Sequence, residues 1–266
     1  MADQCMFVPD GDSFTPTEWA VGPWSKDLLQ ASAFGGLLAR ALETNAVPDT
    51  VLARLAFDLW RPVTRERLTP AVSLLRHGRK ARTVEASLTQ NGKAVARCTA
   101  VYLKADASLT PASVDRTPPS LGPDDGRPIP EVAKRWSPFF TGVDTRTVQG
   151  GLLEPGPAAC WFNLHRPLVA GETNSALVHT VSAADLCSGI SAVVNLREVT
   201  FVNADLTIVF WRQPRAPWIL LAAETYVGDQ GTGVARGTLS DLDGTFGGCE
   251  QTLIFERRAQ PLRGGA

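Results

Sequence analysis

Apolar positions recur along the chain with two different periods. In SAFGGLLARALETN (Ser32 to Asn45), Leu37, Leu38, Ala41 and Leu42 fall on one side of a 3.6-residue turn, which predicts a helix. SALVHTVSAADLCSGISAVVNL (Ser175 to Leu196) is apolar almost throughout and predicts a second, buried helix. Each is followed by runs rich in Val, Ile, Thr, Phe and Trp that turn signals interrupt. Leu55 to Leu103 and Leu206 to Phe255 both read as successive antiparallel strands, with hairpin dipeptides at Asn91-Gly92 and Asp243-Gly244.

The two stretches share one layout. Trp60-Arg61 answers Trp211-Arg212 at an offset of 151, and Asn91-Gly92 answers Asp243-Gly244 at 152. The helices are expected about 151 residues apart as well. Between the repeats lies DASLTPASVDRTPPSLGPDDGRPIP, with six prolines and almost no large apolar residue. Such a segment forms no helix and a poor central strand, so it reads as an exposed connection. The expected organisation is an N-terminal unit (1–106), a Pro-rich linker (107–135) and a C-terminal unit (136–266). One long helix lying on a curved antiparallel sheet in each unit would bury both apolar faces, an α+β class.

Composition narrows the function. The 266 residues carry 26 basic and 27 acidic side chains, so nothing points to nucleic acid or an anionic membrane as partner. MADQCMFVPDGDSF carries acids where a signal peptide needs a basic region, and no apolar run approaches a membrane span; a cytoplasmic location is expected. The cysteines at 5, 98, 160, 187 and 249 form no CxxC pair, and the three histidines are dispersed, so no metal or cofactor is expected. There is no GxSxG elbow and no plausible Cys–His pair. Hydrolysis by an activated water remains open.

AFGGLLARAL (Ala33 to Leu42), LWRP (Leu59 to Pro62) and SLLRHGRKARTVEASLTQNGKAV (Ser73 to Val95) together resemble the acyl-CoA thioesterase II family, bacterial and peroxisomal enzymes built as a double hotdog. AVGPWSKDLLQ resembles the actinobacterial thioesterase-like branch. The resemblance covers most of the chain outside the linker. It implies hydrolysis of an acyl-CoA thioester to free acid and coenzyme A.

It also implies site residues. Asp205, seven residues before Arg212, matches the family's water-positioning acid, although the chain reads Asp-Leu-Thr for Asp-His-Ser and Gln213 separates Arg212 from Pro214. Gln251 matches an amide that holds the water, and Thr225 a nearby hydroxyl. The backbone N–H groups of Gly35 and Gly36, expected near a helix start, would serve the oxyanion. Asp185, in AADLCSG, reads first as helix-end chemistry and second as the alternative acid. Arg76, Arg79, Lys80 and Arg82 read as a solvated edge or as ligands for the phosphates of coenzyme A. Counting back 151 from Asp205 and Asp185 reaches Arg54 and Phe34, neither an acid, so one centre per chain is expected where the halves meet. A non-catalytic acyl-CoA- or lipid-binding protein is the alternative, and a hydratase would need a His–Asp pair the sequence does not offer. Homo-oligomers formed through exposed sheet edges or faces are compatible with the pattern.

Overall fold

The computed structural model describes residues 4–45, 48–111, 117–195 and 198–258; residues 112–116 of the expected linker and Leu196 of the expected second helix lie outside them. The chain opens with a hairpin, β1 (Phe7–Asp10) and β2 (Ser13–Pro16), followed by α1 (Ala31–Thr44). Four strands come next: β3 (Thr50–Leu59), β4 (Thr69–His77), β5 (Ala81–Gln90) and β6 (Lys93–Lys104). After a short α2 (Glu131–Trp136) come β7 (Asp144–Gly151), β8 (Glu154–Asn163), α3 (Ala176–Ala184) and α4 (Cys187–Ile190). The chain ends with β9 (Val199–Asn203), β10 (Asp205–Phe210), β11 (Ile219–Val227), β12 (Thr232–Asp241) and β13 (Gly244–Arg257).

All strands except the first hairpin join one 11-stranded sheet in the order β4-β5-β6-β3-β10-β13-β12-β11-β8-β7, with β9 also pairing β13. The order β4-β5-β6-β3 is mirrored by β11-β12-β13-β10, and the halves meet where β3 and β10 pair antiparallel, Leu55 opposite Ile208. The strand repeat holds closely. β5 and β6 begin at 81 and 93, and β12 and β13 at 232 and 244, an offset of 151 in both cases. Trp60 and Arg61 both donate their N–H to Val95 O, as Trp211 and Arg212 do to Phe246 O. The helices do not keep this offset. α1 begins at 31 and α3 at 176, an offset of 145; five residues (45–49) join α1 to β3 and eight (191–198) join α4 to β9, which accounts for three of the six residues by which the helices fall short of 151.

α1 and α3 cross the same face of the sheet against each other. Leu37, Leu38, Leu42 and Val181 are fully buried there, together with Leu55, Leu88, Ile208 and Leu221 of the sheet. Each such side chain contributes about 1.5–3 kcal/mol relative to exposure. Gly35 faces α3, and Gly36 faces Leu168 in the segment before it. A Cβ on Gly35 would meet Val181 Cγ1 at 3.4 Å, and one on Gly36 would meet Leu168 Cδ1 at 3.3 Å.

The expected second helix is broken. Gln251 of β13 reaches into it: Ser188 N–H donates to Gln251 Oε1 at 3.0 Å, and Gln251 Nε2 donates to Asp185 O at 3.0 Å. One side-chain amide thus takes the place of two i→i−4 backbone bonds and interrupts the ladder, separating α3 from α4 at Asp185–Leu186. The C-terminal part of the expected linker packs against the rest of the chain. Ile129 is buried, Arg127 bridges Thr147 on β7, and α2 begins at Glu131. No helix among the described residues is long and apolar enough to cross a membrane.

Candidate active site

A cavity of about 620 Å³ opens between the segment before α1, the end of β3, α2, the α3–α4 break and β9. Its walls are mainly apolar, with Leu29, Phe34, Phe140, Leu186, Ile190 and Phe201 inside and the half-exposed rings of Trp24, Trp60 and Trp136 toward solvent. Asp185 is its one acid among the described residues, and Arg61 and Arg258 are its cations.

Asp185 is buried, yet its carboxylate is well supplied with donors. Ser32 Oγ donates to Oδ2 at 2.8 Å and Gln30 Nε2 at 3.1 Å; Asn203 Nδ2 donates to Oδ1 at 3.2 Å. Gln30 is the N-cap of α1 and Ser32 lies in its first turn, so the α1 N-terminus faces the acid. Burial pushes the Asp185 carboxyl above the ordinary carboxylate value; the bonds from Ser32, Gln30 and Asn203 offset part of that rise. An acid so placed can accept a proton from water, and the second N–H groups of Gln30 and Asn203, which make only long bonds of 3.5 Å to Ser32 Oγ and Asp205 O, can turn to a carbonyl oxygen instead.

Asp205 is placed elsewhere. Phe201 and Asn203 alternate inward, opposite Phe255 and Leu253, so simple alternation would carry Asp205 inward too. The pairing of β13 slips by one residue at Ala204, between its partners β9 and β10, and the inward set becomes Leu206, Ile208 and Phe210. Asp205 therefore lies opposite Asp58 on the outer face, where its Oδ1 accepts Thr252 N–H at 2.8 Å. Asn203, not Asp205, reaches the cavity.

The other expected site residues divide. Gln251 is fully buried and touches Asp185 through its backbone, as the clamp on the helix break, without lining the cavity. Thr225 Oγ1 lies 2.7 Å from Ser191 Oγ, whose proton goes to Cys187 O at 2.8 Å, so Thr225 is the donor that ties the end of α4 to β11. Gly35 and Gly36 sit in the second turn of α1, against α3 rather than the cavity. Arg76, Arg79, Lys80 and Arg82 lie at β4–β5, the far edge of the sheet, and none lines the cavity. Gln30, Ser32, Asn203 and Ser188 were not singled out from the sequence. One signal was available: Asp185 is the only carboxylate between Glu172 and Glu198, within an otherwise apolar helix.

Two family profiles match the chain: residues 21–103 the acyl-CoA thioesterase N-terminal domain, and residues 123–255 the acyl-CoA thioesterase C-terminal domain. No curated protein matches it by sequence. Among solved structures it is similar to the acyl-CoA thioesterase II TesB2 of Mycobacterium marinum, 19% identical, with 91% of this chain and 97% of that chain covered at a TM-score of 0.66. A hot dog fold protein of Alicyclobacillus acidocaldarius is 14% identical, covering 97% of this chain and 98% of that one at 0.73. A tesB protein of Mycobacterium avium subsp. paratuberculosis is 12% identical, covering 94% and 95% at 0.64.

Proposed function

The chain belongs to the acyl-CoA thioesterase family, as a thioesterase II-like thioester hydrolase, and from that premise we propose that it hydrolyses acyl-CoA with Asp185, not Asp205, as the base that activates water. The observation that carries this reading is a buried carboxylate lining an apolar cavity and held by three side-chain donors. Asp185 takes a proton from a water as the water oxygen bonds to the thioester carbonyl carbon. The carbonyl oxygen, gaining charge, is met by the amide N–H groups of Asn203 and Gln30. Collapse of the tetrahedral species breaks the C–S bond; the leaving thiolate recovers the proton from Asp185, giving coenzyme A and the free acid. The water supplies the new oxygen, and no further reactant is needed.

Gln251 acts through Asp185 and is a positioning residue, since its amide fixes the break that turns the carboxylate toward Ser32. The acyl group would occupy the apolar walls around Phe34, Ile190 and Phe201. We assign residues 1–106 and 136–266 as the two hotdog units, joined by 107–135, with the site drawn from both. The experiment is hydrolysis of an acyl-CoA ester in H₂¹⁸O under single-turnover conditions. One ¹⁸O in the free acid, with no acylated protein trapped, is expected; a covalent acyl-protein intermediate would overturn the mechanism, and no hydrolysis of short, medium, long or aromatic acyl-CoA esters would favour a binding protein.

A further inference from the structure

The repeated Trp-Arg pair has diverged in one respect. Arg212 is tied down: it makes a bidentate pair with buried Asp241 at 2.6 and 2.5 Å and also donates to Gly244 O at 2.5 Å. Asp241 in addition accepts Arg215 N–H at 2.9 Å. Subtracting 151 from each position gives Arg61, Gln90 and Thr64. Gln90 keeps the backbone duty of Asp241, since its Oε1 accepts Thr64 N–H at 3.1 Å. It has no charge to offer Arg61, and its Nε2 is spent on Thr64 O and Glu66 O. Arg61 is exposed, has no ion-pair partner among the described residues, and lines the cavity that holds Asp185. Two half-exposed rings, Trp24 and Trp60, line the same opening, and Arg258 lies over Trp24 at 5.6 Å.

We infer that Arg61 is a specificity-determining residue that binds the phosphates of coenzyme A at the cavity mouth, the role its sequence pattern had offered to Arg76, Arg79 and Lys80. The inference rests on the hydrolase reading for its substrate. An arginine released from its internal carboxylate presents its N–H groups to phosphate oxygens. The same cavity places the buried acid at the thioester and the exposed cation at the charged end of one molecule. A lone phosphodiester on a phosphopantetheine arm would offer similar chemistry; the two phosphate groups in the nucleotide half of coenzyme A, the diphosphate and the 3′-phosphate, fit a mouth with two arginines better.

The test is calorimetric binding of desulfo-coenzyme A, a probe that needs no catalysis, to the full chain. Wild type and Arg76→Ala should bind alike, whereas Arg61→Ala should weaken binding about tenfold or more, with partial rescue by Arg61→Lys. Absence of binding to wild type, an Arg61→Ala variant that binds as wild type does, or a loss confined to Arg76→Ala would each overturn the inference. 4′-Phosphopantetheine binding as tightly as desulfo-coenzyme A would overturn the assignment to the nucleotide end. A second arm separates this inference from the mechanism: Arg61→Ala should raise KM for an acyl-CoA and leave the acyl-N-acetylcysteamine thioester unchanged, whereas Asp185→Asn should abolish hydrolysis of both. If wild type hydrolyses neither ester, the mechanism fails and the binding result still decides Arg61.

Discussion

Ser32 Oγ donates to Asp185 Oδ2 at 2.8 Å, joining the two halves of the chain across 153 residues. That contact makes the site a property of the duplicated chain rather than of either half. It also explains why the duplication gives one such site. With the helices aligned at their starts, 145 residues apart, the counterpart of Asp185 in α1 is Arg40. Arg40 is engaged by Glu172 through two bonds of 2.5 Å, so a cation and its counterion stand where a second acid would be needed.

In the proposed mechanism the Ser32 bond sets the pH range of activity. Burial raises the Asp185 carboxyl and Ser32 opposes the rise by stabilising the charged form. Ser32→Ala should therefore raise it further and move the acid limb of kcat/KM to higher pH by about one to two units, given about 1.5–3 kcal/mol for a hydrogen bond to a charged group. A pH–rate profile checks this, with activity recovering above the shifted limb. A limb that stays in place would contradict the assignment of Asp185.

Gln251 links stability to activity. Gln251→Ala strands Ser188 N–H and Asp185 O in the interior and leaves a void, so unfolding stability should fall by about 2–4 kcal/mol. Hydrolysis should fall with it under conditions where the variant is folded, because the carboxylate loses its fixed position. Urea denaturation alongside thiol release measures both.

Asp241 should matter to the fold and little to the chemistry. Burial alone would raise its carboxyl, yet the Arg212 bonds and the N–H groups of Arg215 and Asp243 hold it below the ordinary value. Its contribution is present above the unfolded value and is lost as pH falls through the folded one. Asp241→Ala leaves Arg212 without its partner and should cost about 3–5 kcal/mol, read from the denaturation midpoint.

His179 is an acid-sensitive point. Burial pushes it down to about 4, and its Nδ1 accepts Leu164 N–H at 3.2 Å, which requires the neutral ring. The unfolded chain takes up this proton near pH 6.5 and the folded chain only near 4, so stability should fall as pH drops through that window, by at most about 1.4 kcal/mol per unit from this group. Calorimetry of His179→Gln should show a flatter slope there.

Strand periodicity and turn chemistry made much of the architecture legible. The Asn91-Gly92 and Asp243-Gly244 hairpins and the 151-residue strand repeat follow from local pattern alone. The site was harder to read because it depends on two local irregularities that no period announces. The slip at Ala204 turns Asp205 outward and Asn203 inward, and the reach of Gln251 into the second helix turns Asp185 toward the cavity. Gln30 and Ser32 look like ordinary residues at a helix start until a second helix brings an acid to them. The basic run at β4–β5 drew notice by charge density, whereas Arg61 becomes distinct only beside its paired twin, Arg212.

The central claim is that the carboxylate inside the cavity, not the one outside the sheet, does the chemistry. Thiol release from an acyl-CoA, compared between Asp185→Asn and Asp205→Asn, tests it most directly. Asp185→Asn should stay folded and lose about two to four orders of magnitude in kcat, whereas Asp205→Asn, whose amide oxygen can still accept Thr252 N–H, should stay within about threefold of wild type. Asp205→Asn abolishing hydrolysis while Asp185→Asn retains it would contradict the account.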